Sequence, residues 1–276
     1  MAISNFIPTI WSENLITSLN KKYVGVANCN RDFEGEIKNK GAIVKICGVG
    51  KININDYTKD SDMSSPQALS DTVQELCIDQ AKFFNFQIDD IDHAQCSPKL
   101  MDLAMSSAAE SIADVADKYV YSLYSTATQI VRHTDINDGN LIKSIIKARK
   151  VLYENNVSDS ADVVLEVSPA VAAALLHEKI VVTQDGDLYE NGCIGSIAGC
   201  KIYVSNNIAT TSTSTTFTSK CYMRTKRAIA FAEQLSEISA YRPEKRFADA
   251  VKGLHLYGAK IVYPNELVVI EATEKL

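Results

Sequence analysis

The closing stretch, YRPEKRFADAVKGLHLYGAKIVYPNELVVI from Tyr241 to Ile270, constrains the chain most. A charged turn at Arg242, Pro243 and Glu244 leads into Phe247 and Val251. Strand-forming residues then run from Leu254 to Tyr263, interrupted only at Gly258. Proline has no N–H to give a β-ladder, so Pro243 and Pro264 bracket a strand and do not sit inside one. Leu267 to Ile270 adds a last short apolar segment. The stretch reads as the closing strand of a sheet, and the rest of the chain must supply its partners.

A chain of 276 residues buries a substantial core and spans one or two domains. Its 46% apolar and 22% charged residues are the balance of an ordinary globular protein. A net charge of −6 argues against a general nucleic-acid binder, whose footprint is basic. No apolar run approaches the roughly 18 residues of a membrane span. The opening MAISNFIPTIWSENL has neither a basic n-region nor a continuous apolar h-region, so no secretory signal is expected, and the protein reads as cytoplasmic. The cysteines at 29, 47, 77, 96, 193, 200 and 221 are scattered and never spaced CxxC. They read as small buried thiols, not as a disulfide framework or a zinc site.

Residues 1–30 look like an arm, with Ile3, Phe6, Ile7, Ile10, Trp11 and Leu15 as apolar anchors at loosely helical spacing. Those side chains must be covered, by the same chain or by a neighbour. From Gly41 to Asp56 the period becomes two: Ile52 and Ile54 alternate with Lys51, Asn53 and Asn55, facing the apolar run Ile43 to Cys47. Gly48, Val49 and Gly50 between them predict a hairpin tip. Asp56 to Ser70 reads as a return loop. The common parity of Leu76, Ile78, Phe84, Phe86 and Ile88 predicts a long strand or two in succession. Ser97-Pro98 starts a helix expected to reach about Val131, with a stripe through Leu100, Ala104, Ala108, Ile112, Val115, Tyr119 and Leu123. Ala and Ser fill much of the remainder, so another element can approach this helix closely. A second helix presents Leu141, Ile142, Ile145, Ala148, Arg149 and Leu152 on one side. Ala161 to Val167 is a buried strand, and Ser168-Pro169 starts a third helix. Gln184 to Asp187 is a turn, Gly199 to Ser205 a strand, and Thr210 to Ser219 a Thr/Ser-rich loop. Residues 134–240 form a compact α+β unit on this reading.

The search for chemistry finds no site. Gly48 and Gly50 lack the third glycine of a dinucleotide fingerprint, since position 53 is Asn53. Asp89, Asp90 and Asp92 beside His93 lack the oxygen ligand and glycine a calcium loop requires next, for Ala94 and Gln95 follow. The four histidines show no metal spacing. Around Ser196, Ile194 and Ala198 stand where a nucleophile elbow has glycines. Arg224, Lys226 and Arg227 read as a solvated basic face. No cofactor, metal or catalytic group is expected. An early hairpin and an apolar arm are surfaces an isolated monomer has trouble satisfying, and they point to self-assembly.

Six segments in order, 5–24, 30–57, 83–96, 161–178, 195–208 and 227–270, resemble the major capsid proteins of tailed bacteriophages, the Hong Kong 97-like family. The resemblance implies an α+β Hong Kong 97-like fold with an N-terminal arm at 1–30 and an extended loop at 31–72. It also implies a peripheral domain at 73–133 with 241–276, carrying a long spine helix, and an axial domain at 134–240. It implies a homo-oligomer of pentamers and hexamers closing an icosahedral shell, assembled in the host cytoplasm and found in the virion. That shell encloses double-stranded DNA without sequence-specific binding, a scaffolding protein and a portal act as partners, and no membrane is involved. Inter-subunit contacts are then expected from Phe6, Ile10 and Trp11 of the arm, from Gly48, Val49, Gly50, Ile52 and Ile54 of the loop, and from Gln184, Asp185, Tyr241 and Arg242. Some relatives carry a scaffolding segment or an inserted domain; this chain starts almost at the arm and implies a minimal or matured form. No Lys–Asn pair for a covalent cross-link can be matched. An encapsulin-like protein compartment is the alternative with the same fold.

Overall fold

The computed structural model describes residues 19, 23–33, 41–49, 54, 56, 59, 65, 71–89, 100–157, 162–178, 193–245 and 247–275. In chain order the strands are β1 (Ile43–Val49), β2 (Asp71–Cys77) and β3 (Gln80–Asp89), then helix α1 (Leu100–Ser122). There follow β4 (Ile130–His133), α2 (Leu141–Glu154), β5 (Val163–Val167), α3 (Pro169–His177), β6 (Cys193–Ile197) and β7 (Cys200–Val204). Last come β8 (Thr210–Ser212), β9 (Thr216–Thr225), β10 (Ile229–Tyr241), β11 (Ala248–Ile261) and β12 (Leu267–Lys275).

Among the described residues the strands form three sheets. The largest runs β4-β12-β9-β5-β7-β6 with β8 on β9; a second is β10-β11-β3; the third is the pair β1-β2. The closing stretch does supply a bracketed strand: β11 lies between Pro243 and Pro264 and is the centre of the second sheet, antiparallel to both neighbours. β12 then leaves that sheet to pair with β4 and β9 in the largest one. β10, which falls within 134–240, pairs instead with β11. The expected boundary at 240/241 therefore crosses the sheet topology twice.

Local signals explain the larger sheet's elements. Ser168 caps α3, its hydroxyl accepting from the Val171 N–H, with Pro169 at the first helical position. α2 buries Leu141, Ile145, Ala148, Arg149 and Leu152, close to the predicted face. Every residue of β5 is buried: Val163, Leu165 and Val167 join the core under α2 and α3, and Glu166 on the other face meets Asn28 and Arg224. The β6–β7 turn puts Ala198 and Gly199 both at positive φ, +48° and +75°, the geometry of a tight hairpin.

Four expectations are corrected. α1 ends at Ser122, a 3₁₀ turn covers Leu123–Thr126, and Val131 lies in β4, where parallel pairing with β12 wins over helix continuation. The buried face of α1 is also shifted: Met105, Ala109, Ile112, Ala113, Ala116 and Val120 are covered, while Val115 is 39% exposed. Thr210 to Ser219 is not a loop but the hairpin β8–β9, with Thr211 opposite Thr218. Gly48 and Val49 form no tip, since β1 runs on to Val49, with Gly48 opposite Thr72 and Val49 opposite Asp71. Its partner is β2, so the connection spans 50–70; Gly50 and Ile52 lie outside the described residues.

Candidate assembly surfaces

Residues 23–30, the end of the stretch expected to be an arm, are held by a buried polar clamp. Arg224 of β9 and Glu166 of β5 are both fully buried, paired through Nε to Oε2 and Nη2 to Oε1, each at 2.9 Å. The guanidinium also donates to the Gly25 carbonyl at 2.8 Å and the Asn28 carbonyl at 2.6 Å. Asn28 returns a hydrogen bond to Glu166 at 3.0 Å. From the other side, Asp117 of α1 accepts from the Val24 and Val26 N–H groups at 3.0 and 2.9 Å. Arg224 and Asp117 thus satisfy a stretch of backbone that has no sheet of its own, while Glu166 holds the cation and the Asn28 amide. Burial pushes the Asp117 carboxyl up to about 6, opposed by those backbone donors. The same burial lifts the Cys29 thiol to about 11, which makes it inert. Gly25 permits the close approach: a Cβ there would lie 2.9 Å from the Tyr121 ring.

A second cluster pins the arm to the smaller sheet. Asn30 bridges β10 between Ile229 and Phe231, donating at 2.9 Å to the Ile229 carbonyl and accepting at 2.9 Å from Phe231. Glu233 receives Tyr23, Arg31 and His255 at 2.5, 2.6 and 2.8 Å. The base of the β1–β2 pair rests on the same sheet, with Val44, Ile46, Leu76 and Ile78 packed on Ala230, Ala232 and Leu256. There β11 passes so close that a Cβ on Gly258 would meet the Cys77 carbonyl oxygen at 2.3 Å.

Large apolar residues stay uncovered on several elements, Ile146 of α2 and Leu176 of α3 among them. Ile54, Phe83, Leu103 and Phe247 are 90%, 81%, 66% and 83% exposed, the four most exposed large apolar residues among those described. Of the residues expected at interfaces, Ile54 is therefore open. Tyr241 is partly open, its hydroxyl bonded to Asn85 and its ring under Lys252. Arg242 is exposed and pairs with Asp249 at 3.8 Å. Phe6, Ile10, Trp11, Gln184 and Asp185 lie outside the described residues. The basic-face reading fails for Arg224, the cation of the buried clamp, and holds for the exposed Lys226 and Arg227, the latter paired with Glu266. Among the described residues no group of three His, Cys, Asp or Glu is placed to hold a metal, and no helix is long and apolar enough to cross a membrane.

Three core clusters, a clamped N-terminal stretch, a strand pair packed on the smaller sheet and open apolar residues make a subunit with surface left for partners. The chain belongs to the phage capsid protein family, whose model matches residues 101–274. It is a structural protein of the capsid, not an enzyme. A solved chain of Mycobacterium phage Che8 shares 29% identity over 98% of each chain, with a TM-score of 0.67. The capsid of Ralstonia phage GP4 superposes at TM-score 0.67 with 10% identity, covering 94% of this chain and 91% of that one. A virus-like particle from Pyrococcus furiosus matches at TM-score 0.56 and 13% identity over 94% and 96% of the two chains. The fold is Hong Kong 97-like. No curated protein matches the chain.

Proposed function

We infer that the chain builds pentamers and hexamers of an icosahedral phage head around double-stranded DNA. The observation that carries this is the open apolar side, Ile54, Phe83 and Phe247, on a chain of the phage capsid protein family. Such a surface needs a partner, and in a closed shell that partner is another copy meeting it through a different patch. The half built on the largest sheet acts as the axial domain, and the half with α1, β3, β10 and β11 as the peripheral one. The arm and the segment after β1 reach neighbours through Phe6, Ile10, Trp11, Gly50, Ile52 and Ile54. Gln184 and Asp185 face a symmetry axis, and Tyr241 and Arg242 meet an adjacent subunit. A scaffolding protein and a portal complete the assembly. The net charge of −6 suits a wall that contains DNA without gripping it.

The second reading, a compartment around protein cargo, draws on the likeness to the Pyrococcus furiosus virus-like particle. Negative-stain electron microscopy of the purified protein, with light scattering and a nuclease-protection assay of particles from the native source, tests both. Rings of five and six or closed shells protecting DNA are expected. Shells holding protein alone support the compartment, and a monomer that persists at high concentration with a scaffolding partner rejects assembly.

A further inference from the structure

Between α1 and β3 the molecule holds a cavity of about 660 Å³. Phe84 and Phe86 of β3 form one wall, their rings stacked with centroids 6.2 Å apart; Ala104 and Ala108 of α1 form the other. Small side chains opposite aromatic ones make a groove that takes a further ring, in offset or edge-on contact with Phe84 and Phe86.

The chain carries such a ring on a different surface. β10 and β11, the two longest strands among those described, are joined by a turn over 242–247. Phe247 at the end of that turn is 83% exposed, so it is not seated in its own subunit's groove. A groove on one patch and an exposed aromatic on another are the two sides of a heterologous contact, the kind that closes rings of identical subunits. An aromatic anchor desolvated in a pocket is also the side chain that contributes most at such interfaces.

Charge favours the same pairing. The turn RPEKRF, Arg242 to Phe247, has three basic residues and one acidic. On α1, Glu110 and Asp114 are exposed one turn apart, beside Ser107, Ser111 and Val115 of the groove; Lys82 stands on the β3 wall. A basic turn that enters along the α1 rim therefore meets opposite charge, which sets its orientation. We propose that in the shell the β10–β11 turn of one copy seats Phe247 in the α1–β3 groove of a neighbouring copy. Lys245 then lies near Glu110 and Asp114 of that neighbour. The proposal rests on the reading of the chain as a shell subunit and names the two surfaces that meet.

Cross-linking of assembled full-length protein tests this while leaving Phe247 in place. Particles of Lys245→Cys with Glu110→Cys, treated with a short bis-maleimide, should show linked chains on a denaturing gel. Their amount should be several-fold that from either single variant, each of which carries the same native thiols. Phe247→Asp should lower particle yield several-fold while the dilute chain unfolds as the wild type does, and Phe247→Trp, which keeps a ring, should retain most of the yield. Ala108→Arg, which fills the groove, should match Phe247→Asp; if it does not fold, the cross-link decides. Particles in which the double variant links no more than the singles, or full yield from Phe247→Asp, overturn the seat and leave the capsid reading standing. A wild-type chain that forms no particle overturns both.

Discussion

The two halves of this subunit finish their cores differently. Around the largest sheet, α2 and α3 close over β5, β7 and β9, and the buried Arg224 is paired with Glu166. Around β10, β11 and β3, and on the segment after β1, large apolar side chains stay in solvent, with Phe83 at 81% and Ile54 at 90% exposure. The first half satisfies its buried ion pair within the chain; the second carries the most exposed apolar side chains, which neighbours cover in the assembly proposed above. Substitutions in the first should therefore register in unfolding, and substitutions in the second in assembly.

The sharpest break is at the clamp. Arg224→Leu leaves Glu166 buried without its cation and frees the Gly25 and Asn28 carbonyls. A loss of about 3–5 kcal/mol is expected in denaturant unfolding of the dilute chain. Next is the clamp's pH dependence. The Asp117 carboxyl, raised by burial from 3.8 to about 6, binds its proton more tightly folded than unfolded. This group's contribution is whole below the ordinary aspartate range and falls as pH rises through about 6, by about 3 kcal/mol in total. Asp117→Asn should remove that slope, read as the wild-type minus variant stability between the two values. Gly258→Ala drives a methyl against the Cys77 carbonyl where β11 crosses the end of β2, and should cost about 1–3 kcal/mol. Phe83→Ser is the smallest effect on folding, within about 0.5 kcal/mol. It should instead lower the yield of shells seen by light scattering, and a large stability loss would place Phe83 in the closed half.

The elements that could be read from sequence are those whose signals are local. Ser168-Pro169 announces α3, Pro243 and Pro264 frame β11, and the apolar face of α2 repeats at helical spacing. What escaped depends on distant partners. Val131 reads as helix until β12, far along the chain, pairs beside it. Arg224 reads as surface because Lys226 and Arg227 follow it, yet its carboxylate partner lies 58 residues away and the Asn28 carbonyl 196. A faint signal existed for Glu166, the lone charge of the otherwise apolar strand VVLEV. Of the residues expected at interfaces, Ile54, Tyr241 and Arg242 are exposed.

The exposed apolar residues of the second half are the proposed assembly surface. Light scattering and negative-stain microscopy of the wild type beside Ile54→Asp, with unfolding measured on both, tests this most directly. Shells or rings from the wild type, and a variant of equal stability that stays a single chain, are the predicted pair. Equal shells from both proteins, or a variant that fails to assemble only because it unfolds, would contradict it.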